Sequence, residues 1–214
     1  MSTARLATIA ASIALALGLV GCGSTPPTTN PSNVAAPQAE QKSVVLYTAK
    51  QCFSSMVNLA QRWQPDALPF HLESELTSET TGQSGKSTIW RAMFASRTRG
   101  TMKSFACSGS LEPSAPTRGY SSSAETAYPP NVPTLLFEPS YLQTDSDQAY
   151  ATTLEHGGAS MIKQDPKQAV VYLLDWDAKQ KVLAWSIIYG KSQADRKGIC
   201  TLNAATGAFL RAGK

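Results

Sequence analysis

Apolar and polar positions divide the chain into stretches with different periods. Leu6 to Val20 is an uncharged run, mostly Ala, Leu and Ile, preceded by Arg5 and followed by Gly21-Cys22. From Gly23 to Lys42 no period survives: Pro, Thr, Ser, Asn and Gln dominate around one isolated Val34. That composition cannot bury enough surface to offset ordering entropy, so a disordered spacer over 22–42 is expected. From Thr48 onward Cys52, Phe53, Met56, Val57, Ala60 and Trp63 fall at helical spacing, and Pro65 closes the pattern. Strand-like runs follow at 68–76, 87–96 and 102–109. A second helix is expected to open at Thr144 or Ser146. Ala149, Tyr150, Thr153 and Leu154 lie on its apolar face, and Gly157-Gly158 interrupts or ends it.

The strands of the carboxy-terminal part are as legible. Ala169 to Leu174 is a continuous β-branched and aromatic run, too apolar for a fully exposed strand. Asp177-Ala178-Lys179-Gln180 is a turn leading to 182–189, and Ile199 to Asn203 forms the next strand. Ala205-Thr206-Gly207 turns the chain into the short segment Phe209-Leu210. Between the two halves, Pro113, Pro116, Pro129, Pro130, Pro133 and Pro139 predict a linker or wandering loop. Within it only Leu135-Leu136-Phe137 is apolar enough to dock or form an edge strand.

The two patterned stretches resemble each other. Placing Trp90 on Trp185 puts Phe94 on Tyr189, and Cys107 on Cys200 after a two-residue difference in the turn. Each Trp strand is preceded by another strand and, before that, a helix. The reading is an α+β fold of two tandem helix-plus-antiparallel-sheet units. Its boundaries are 1–21 leader, 22–42 linker, 43–112 first unit, 113–139 connection and 140–214 second unit.

The start of the chain carries a cellular address. A cation, a short apolar run and Leu19-Val20-Gly21-Cys22 resemble the signal peptide and lipobox of bacterial lipoproteins. That resemblance implies acylation at Cys22, a membrane partner through the lipid anchor, and a location in the cell envelope. Gly23, in place of Asp, implies the outer membrane facing the periplasm if the envelope is Gram-negative. Removing the leader takes away only Arg5, leaving 18 Lys plus Arg against 15 Asp plus Glu, a net charge of +3. So small and dispersed a charge argues against nucleic acid as a partner.

Chemistry-bearing patterns are sparse. The histidines, His71 and His156, have no metal-ligand spacing, and no G-x-S-x-G elbow occurs. Gly82-Gln83-Ser84-Gly85-Lys86-Ser87 lacks the first Gly of a phosphate loop, with Thr80 in its place, and reads as a hairpin or loop tip. Arg97, Arg99, Lys103 and Arg118 read as a solvated basic face. Catalytic residues, metals and cofactors are not expected. With Cys22 acylated, Cys52, Cys107 and Cys200 remain, an odd number. The economical outcomes are a Cys52–Cys107 bridge, a Cys107–Cys200 bridge, or none. Trp90 and Trp185 read as core anchors. Trp176, between Asp175 and Asp177, is the candidate partner contact.

The second unit resembles the PepSY-like domains of bacterial envelope proteins. The likeness lies in Leu173-Leu174, in Trp185-Ser186-Ile187-Ile188-Tyr189-Gly190, and in Leu202-Asn203-Ala204-Ala205-Thr206-Gly207-Ala208-Phe209-Leu210. Asn203 stands where many members carry Asp, and the first unit lacks the Ala-Thr-Gly turn. The resemblance implies a helix-on-sheet module without catalytic machinery, acting in protease inhibition or in binding an envelope protein or ligand. The expected function is therefore a membrane-anchored, non-catalytic binding, inhibitory or regulatory module. An envelope hydrolase and a structural component of a surface assembly are the competing classes.

Overall fold

A computed structural model describes residues 43–213, so the proposed leader, Cys22 and the 22–42 spacer lie outside the described residues. Helix α1 spans Ala49–Trp63 and buries Cys52, Phe53, Met56 and Ala60 on the stripe read from sequence. Strands β1 (Leu68–Glu75), β2 (Ile89–Ser96) and β3 (Thr101–Ser108) follow, then the short β4 (Gly119–Ser122) and β5 (Thr126–Ala127). The second half opens with α2 (Ser146–Thr153). A π-turn over 154–158 leads into α3 (Ala159–Gln164), then β6 (Val170–Asp177), β7 (Val182–Gly190), β8 (Arg196–Asn203) and β9 (Phe209–Gly213). Gly157 adopts φ 101° inside the π-turn, so the glycine pair interrupts the helix and the chain resumes as α3. Among the described residues no helix is long and apolar enough to cross a membrane.

Among the described residues nine strands form one antiparallel sheet, ordered β4-β3-β2-β1-β6-β7-β8-β9, with β5 also on β3. The two helix-plus-sheet patterns share this one sheet: β1 pairs directly with β6, through His71↔Asp175, Leu72↔Leu174 and Glu73↔Leu173. Trp90, Tyr172 and Trp185 pack ring to ring across that seam, with centroids 5.9–6.5 Å apart. A single core cluster runs through both halves and carries the helices on one face.

The halves match closely in detail. Trp90 Nε1 donates to the Tyr47 carbonyl and Trp185 Nε1 to that of Thr144, at 2.8 and 2.9 Å. Each acceptor immediately precedes a helix N-cap, Thr48 or Asp145. Each N-cap amide is taken by a Gln three residues on, Gln51 or Gln148. The two helix starts also meet. Ser146 Oγ accepts from Ala49 N, while Asp145 Oδ1 accepts from Lys50 N and Ser146 N. One carboxylate thus serves two positive helix ends.

Strand register corrects the alignment of the cysteines. Trp90 faces Cys107 and Trp185 faces Leu202, whereas Cys200 faces Ile187. Partners in an antiparallel hairpin keep a constant sum of residue numbers, so Cys107 corresponds to Leu202 with no gap, and Cys200 to Phe105. The position matching Cys52, four residues past the N-cap, is Ala149. A covalent bond in one half therefore stands where the other has Ala149 and Leu202 buried in the core.

The proline-rich connection is not a passive linker. Residues 119–122 and 126–127 extend the first half's sheet on β3. Val132, Leu135 and Leu136 cover Phe70 and Ala95 in a second, smaller apolar cluster. Phe137 enters the main core against Phe53, 6.4 Å between ring centroids. The six prolines break helix but leave room for edge pairing, which needs few donors.

Candidate functional site: the groove beside α3

The second half differs from the first where its helix is broken. Gly158 approaches the sheet so closely that a Cβ there would lie 1.9 Å from the Tyr189 hydroxyl. That hydroxyl is 2.6 Å from Thr153 Oγ1, and burial pushes the phenol up to about 12. The π-turn lets α2 make this approach and then re-aims α3, whose Met161 crosses Gly198 of β8. Between α3 and the ends of β8 and β9 a groove of about 940 Å³ remains, lined by Ser160, Met161, Gln164, Gln168 and the backbone at Gly198 and Gly213. Lys197 and Asp165 close its rim with a 3.0 Å ion pair, which holds the Asp165 carboxyl below its ordinary range.

Gln168 is one of the polar residues lining the groove. The residue is 4% exposed and its Nε2 donates to the Ala169 carbonyl, while Oε1 has no partner among the described residues. A buried acceptor without a donor is costly, and a ligand N–H or O–H would relieve it. The corresponding place in the first half is filled by aromatic side chains. There Trp63 ends α1, lies 6.5 Å from the Phe105 ring, and donates from Nε1 to Glu125. At the position of Phe105 the second half carries the small Cys200.

The opposite sheet face holds a second polar constellation. His71 Nδ1 lies 2.6 Å from Asp175 and Nε2 3.4 Å from Glu73. Burial alone would lower the imidazole; the bonds and charges of Asp175 and Glu73 outweigh it and raise its pKa to about 9. Arg91 pairs with Glu75 beside it. Both imidazole nitrogens are committed to carboxylates. Among the described residues no group of three His, Cys, Asp or Glu is arranged to hold a metal ion.

The fold is similar to that of a candidate lipoprotein from Clostridium difficile 630 known from a crystal structure. The TM-score is 0.50 at 12% identity, and the match covers 75% of this chain and 91% of that one. The likeness is one of fold. No family model matches the chain, and no curated protein does.

The residues singled out from sequence scatter over this framework. Cys52 and Cys107 are bonded, with Cα atoms 5.7 Å apart, so helix α1 is pinned to its own sheet. Cys200 is a free, buried thiol under the π-turn, 3.7 Å from the His156 carbonyl, and burial pushes its pKa up. His156 stacks on Phe209 at 3.8 Å. Trp176 is half-buried at the end of β6 and stacks on the exposed Tyr141 at 6.1 Å. Trp90 and Trp185 are fully buried.

The Gly82–Ser87 stretch lies in the β1–β2 hairpin connection, where it is packed against the second half. Gly82 and Gly85 adopt φ 76° and 75°, and the Tyr172 hydroxyl donates to Gly82 O and accepts from Gly85 N. Ser146 Oγ also donates to Gly85 O, so the loop buttresses the start of α2. Of the basic residues, Arg99 pairs with Glu125, and Lys103 lies over Phe105. Sequence reasoning missed the groove and the His71 cluster. Gln168 sits in a polar turn sequence, and His71 and Asp175 are 104 residues apart. The Gly157-Gly158 pair was the one signal that the second helix departs from the first.

Proposed function

We propose that this chain is a bacterial envelope lipoprotein, acylated at Cys22, whose folded part is a non-catalytic binding module with inhibitory or regulatory action. In a Gram-negative envelope it would sit on the outer membrane facing the periplasm. On this reading the halves arose by duplication of one PepSY-like unit. Supporting that are the matched Trp–helix-start bonds, paired Gln caps and the equivalent pairings Trp90↔Cys107 and Trp185↔Leu202. One half then kept a filled, disulfide-locked core while the other opened a groove. The likeness in fold to a candidate lipoprotein supports the envelope reading.

The groove carries the functional reading: a largely apolar slot with one unpartnered buried acceptor suits a segment of an envelope protein that offers an apolar side chain to Met161 and an N–H to Gln168. The test combines Ser160→Trp, which fills the groove as Trp63 fills its counterpart, with recovery of partners from envelope extract. One specific partner should bind the wild-type protein and be lost at least tenfold with Ser160→Trp at an unchanged melting temperature. Equal recovery by both proteins, or turnover of a generic ester or peptide by the wild type, would reject the proposal. Mass spectrometry of the native protein reads acylation at Cys22 separately.

A further inference from the structure

Five large apolar side chains stand out as exposed among the described residues: Val44, Leu46, Leu111, Tyr120 and Tyr141. Four of them share one corner. Val45 N donates to Gly109 O, two residues from Leu111, and Tyr47 bridges to Ser87. Tyr120 pairs with Cys107, two residues before Gly109. Val44 and Leu46 flank Val45 and point alike along the extended segment. Each of the four is 38–47% exposed. This corner is firmly built: a Cβ at Gly109 would lie 2.2 Å from the Val45 carbonyl, so the segment packs on bare backbone.

We propose that this corner is the membrane-facing surface of the folded part, resting on the lipid interface. The inference rests on the anchoring of Cys22 proposed above. The corner is where the described chain begins, and 21 peptide units separate Cys22 from Ser43, a reach of about 75 Å at full extension. A tether of that length holds the corner near the bilayer at an effective concentration in the millimolar range, so a patch too weak to bind unanchored suffices. Exposed Lys86 and Arg118, next to Ser87 and Gly119, suit anionic headgroups. Two carboxylates nearby keep their charge, Glu112 accepting from Ser78 and Glu79 Oε1 from Leu111 N, so the apolar side chains carry the contact and the cations only offset these two charges. The groove lies toward the other end of the sheet, five strand spacings or roughly 24 Å from β3 to β8. Anchored this way, the protein turns its groove away from the membrane.

The test uses the mature chain with Cys22→Ser, Cys200→Ala and an amino-terminal hexahistidine tag. It is held on phosphatidylcholine–phosphatidylglycerol vesicles by a chelating lipid, so the result does not depend on acylation in the cell. An environment-sensitive fluorophore is placed at Leu111→Cys or, at the groove, at Ser160→Cys. Brominated acyl chains should quench the label at 111 at least twofold more than that at 160. The combined Val44→Ser, Leu46→Ser and Tyr120→Ser variant should abolish the difference while its circular dichroism stays unchanged. Equal quenching at both sites, none at either, or a difference that survives the polar variant would overturn the proposal. Loss of acylation at Cys22, read by mass spectrometry, would instead remove the anchoring on which it rests.

Discussion

At the scale of single residues, His71 is the group whose charge the fold fixes most firmly. Its pKa is raised from 6.5 to about 9, so its stabilisation is full below pH 6.5 and lost as pH rises through about 9. Asp175 is half exposed, which limits the pair to about 1 kcal/mol. His71→Gln should therefore cost about 1 kcal/mol in urea unfolding at pH 6.5 and close to nothing at pH 10. Glu73 is lowered by its bond to His71, so its own contribution fades as pH falls. The disulfide closes a 55-residue separation, and Cys52→Ala should lower stability by about 2–4 kcal/mol in the same assay. The buried Cys200 thiol should stay unreactive toward an aromatic disulfide reagent until the protein unfolds.

At the scale of elements, the helices are set by the strands beneath them. Trp90 and Trp185 each hold the residue just before a helix cap, so Trp→Phe at either site removes a hydrogen bond to a backbone carbonyl. Each change should cost about 1–2 kcal/mol by denaturant titration, and similar losses at both sites are expected from their matching roles. The loop at Gly82–Gly85 packs closely on the second half. A Cβ on Gly82 would lie 1.9 Å from the Val170 carbonyl, and one on Gly85 2.2 Å from Asp147 Cα. Gly85→Ala should therefore destabilise by about 2 kcal/mol or more, through both clash and positive φ, read as a fall in melting temperature. Element types were legible because periods of 3.6 and 2 are local properties. The lengths of β8 and β9 were not: they reach Arg196 and Gly213 through polar and small residues that only a neighbouring strand recruits.

At the scale of the whole molecule, β1–β6 pairing and the Trp90–Tyr172–Trp185 cluster leave neither half with a complete core. Calorimetry should show one endotherm with equal calorimetric and van't Hoff enthalpies; two separated transitions would contradict the continuous sheet. Residues 140–214 produced alone should be unfolded by circular dichroism, since β6 would lose its edge partner and Tyr172 the loop that satisfies its hydroxyl. The register at the seam is symmetric about Glu73↔Leu173, which places the β2 and β7 tryptophans on equivalent sites.

The amino-acid sequence by itself determined the α+β class, the two helix–strand patterns and the burial of the tandem tryptophans. It also marked the break at Gly157-Gly158. Each depends on residues within a dozen positions of one another. Tertiary structure alone decided which cysteines met, that the two patterns fuse into one sheet, and that proline-rich residues 113–139 add strands. It alone placed His71 beside Asp175 and left a groove beside α3. Those outcomes rest on strand register and on chain segments brought together from a hundred residues apart, and no local pattern encodes them.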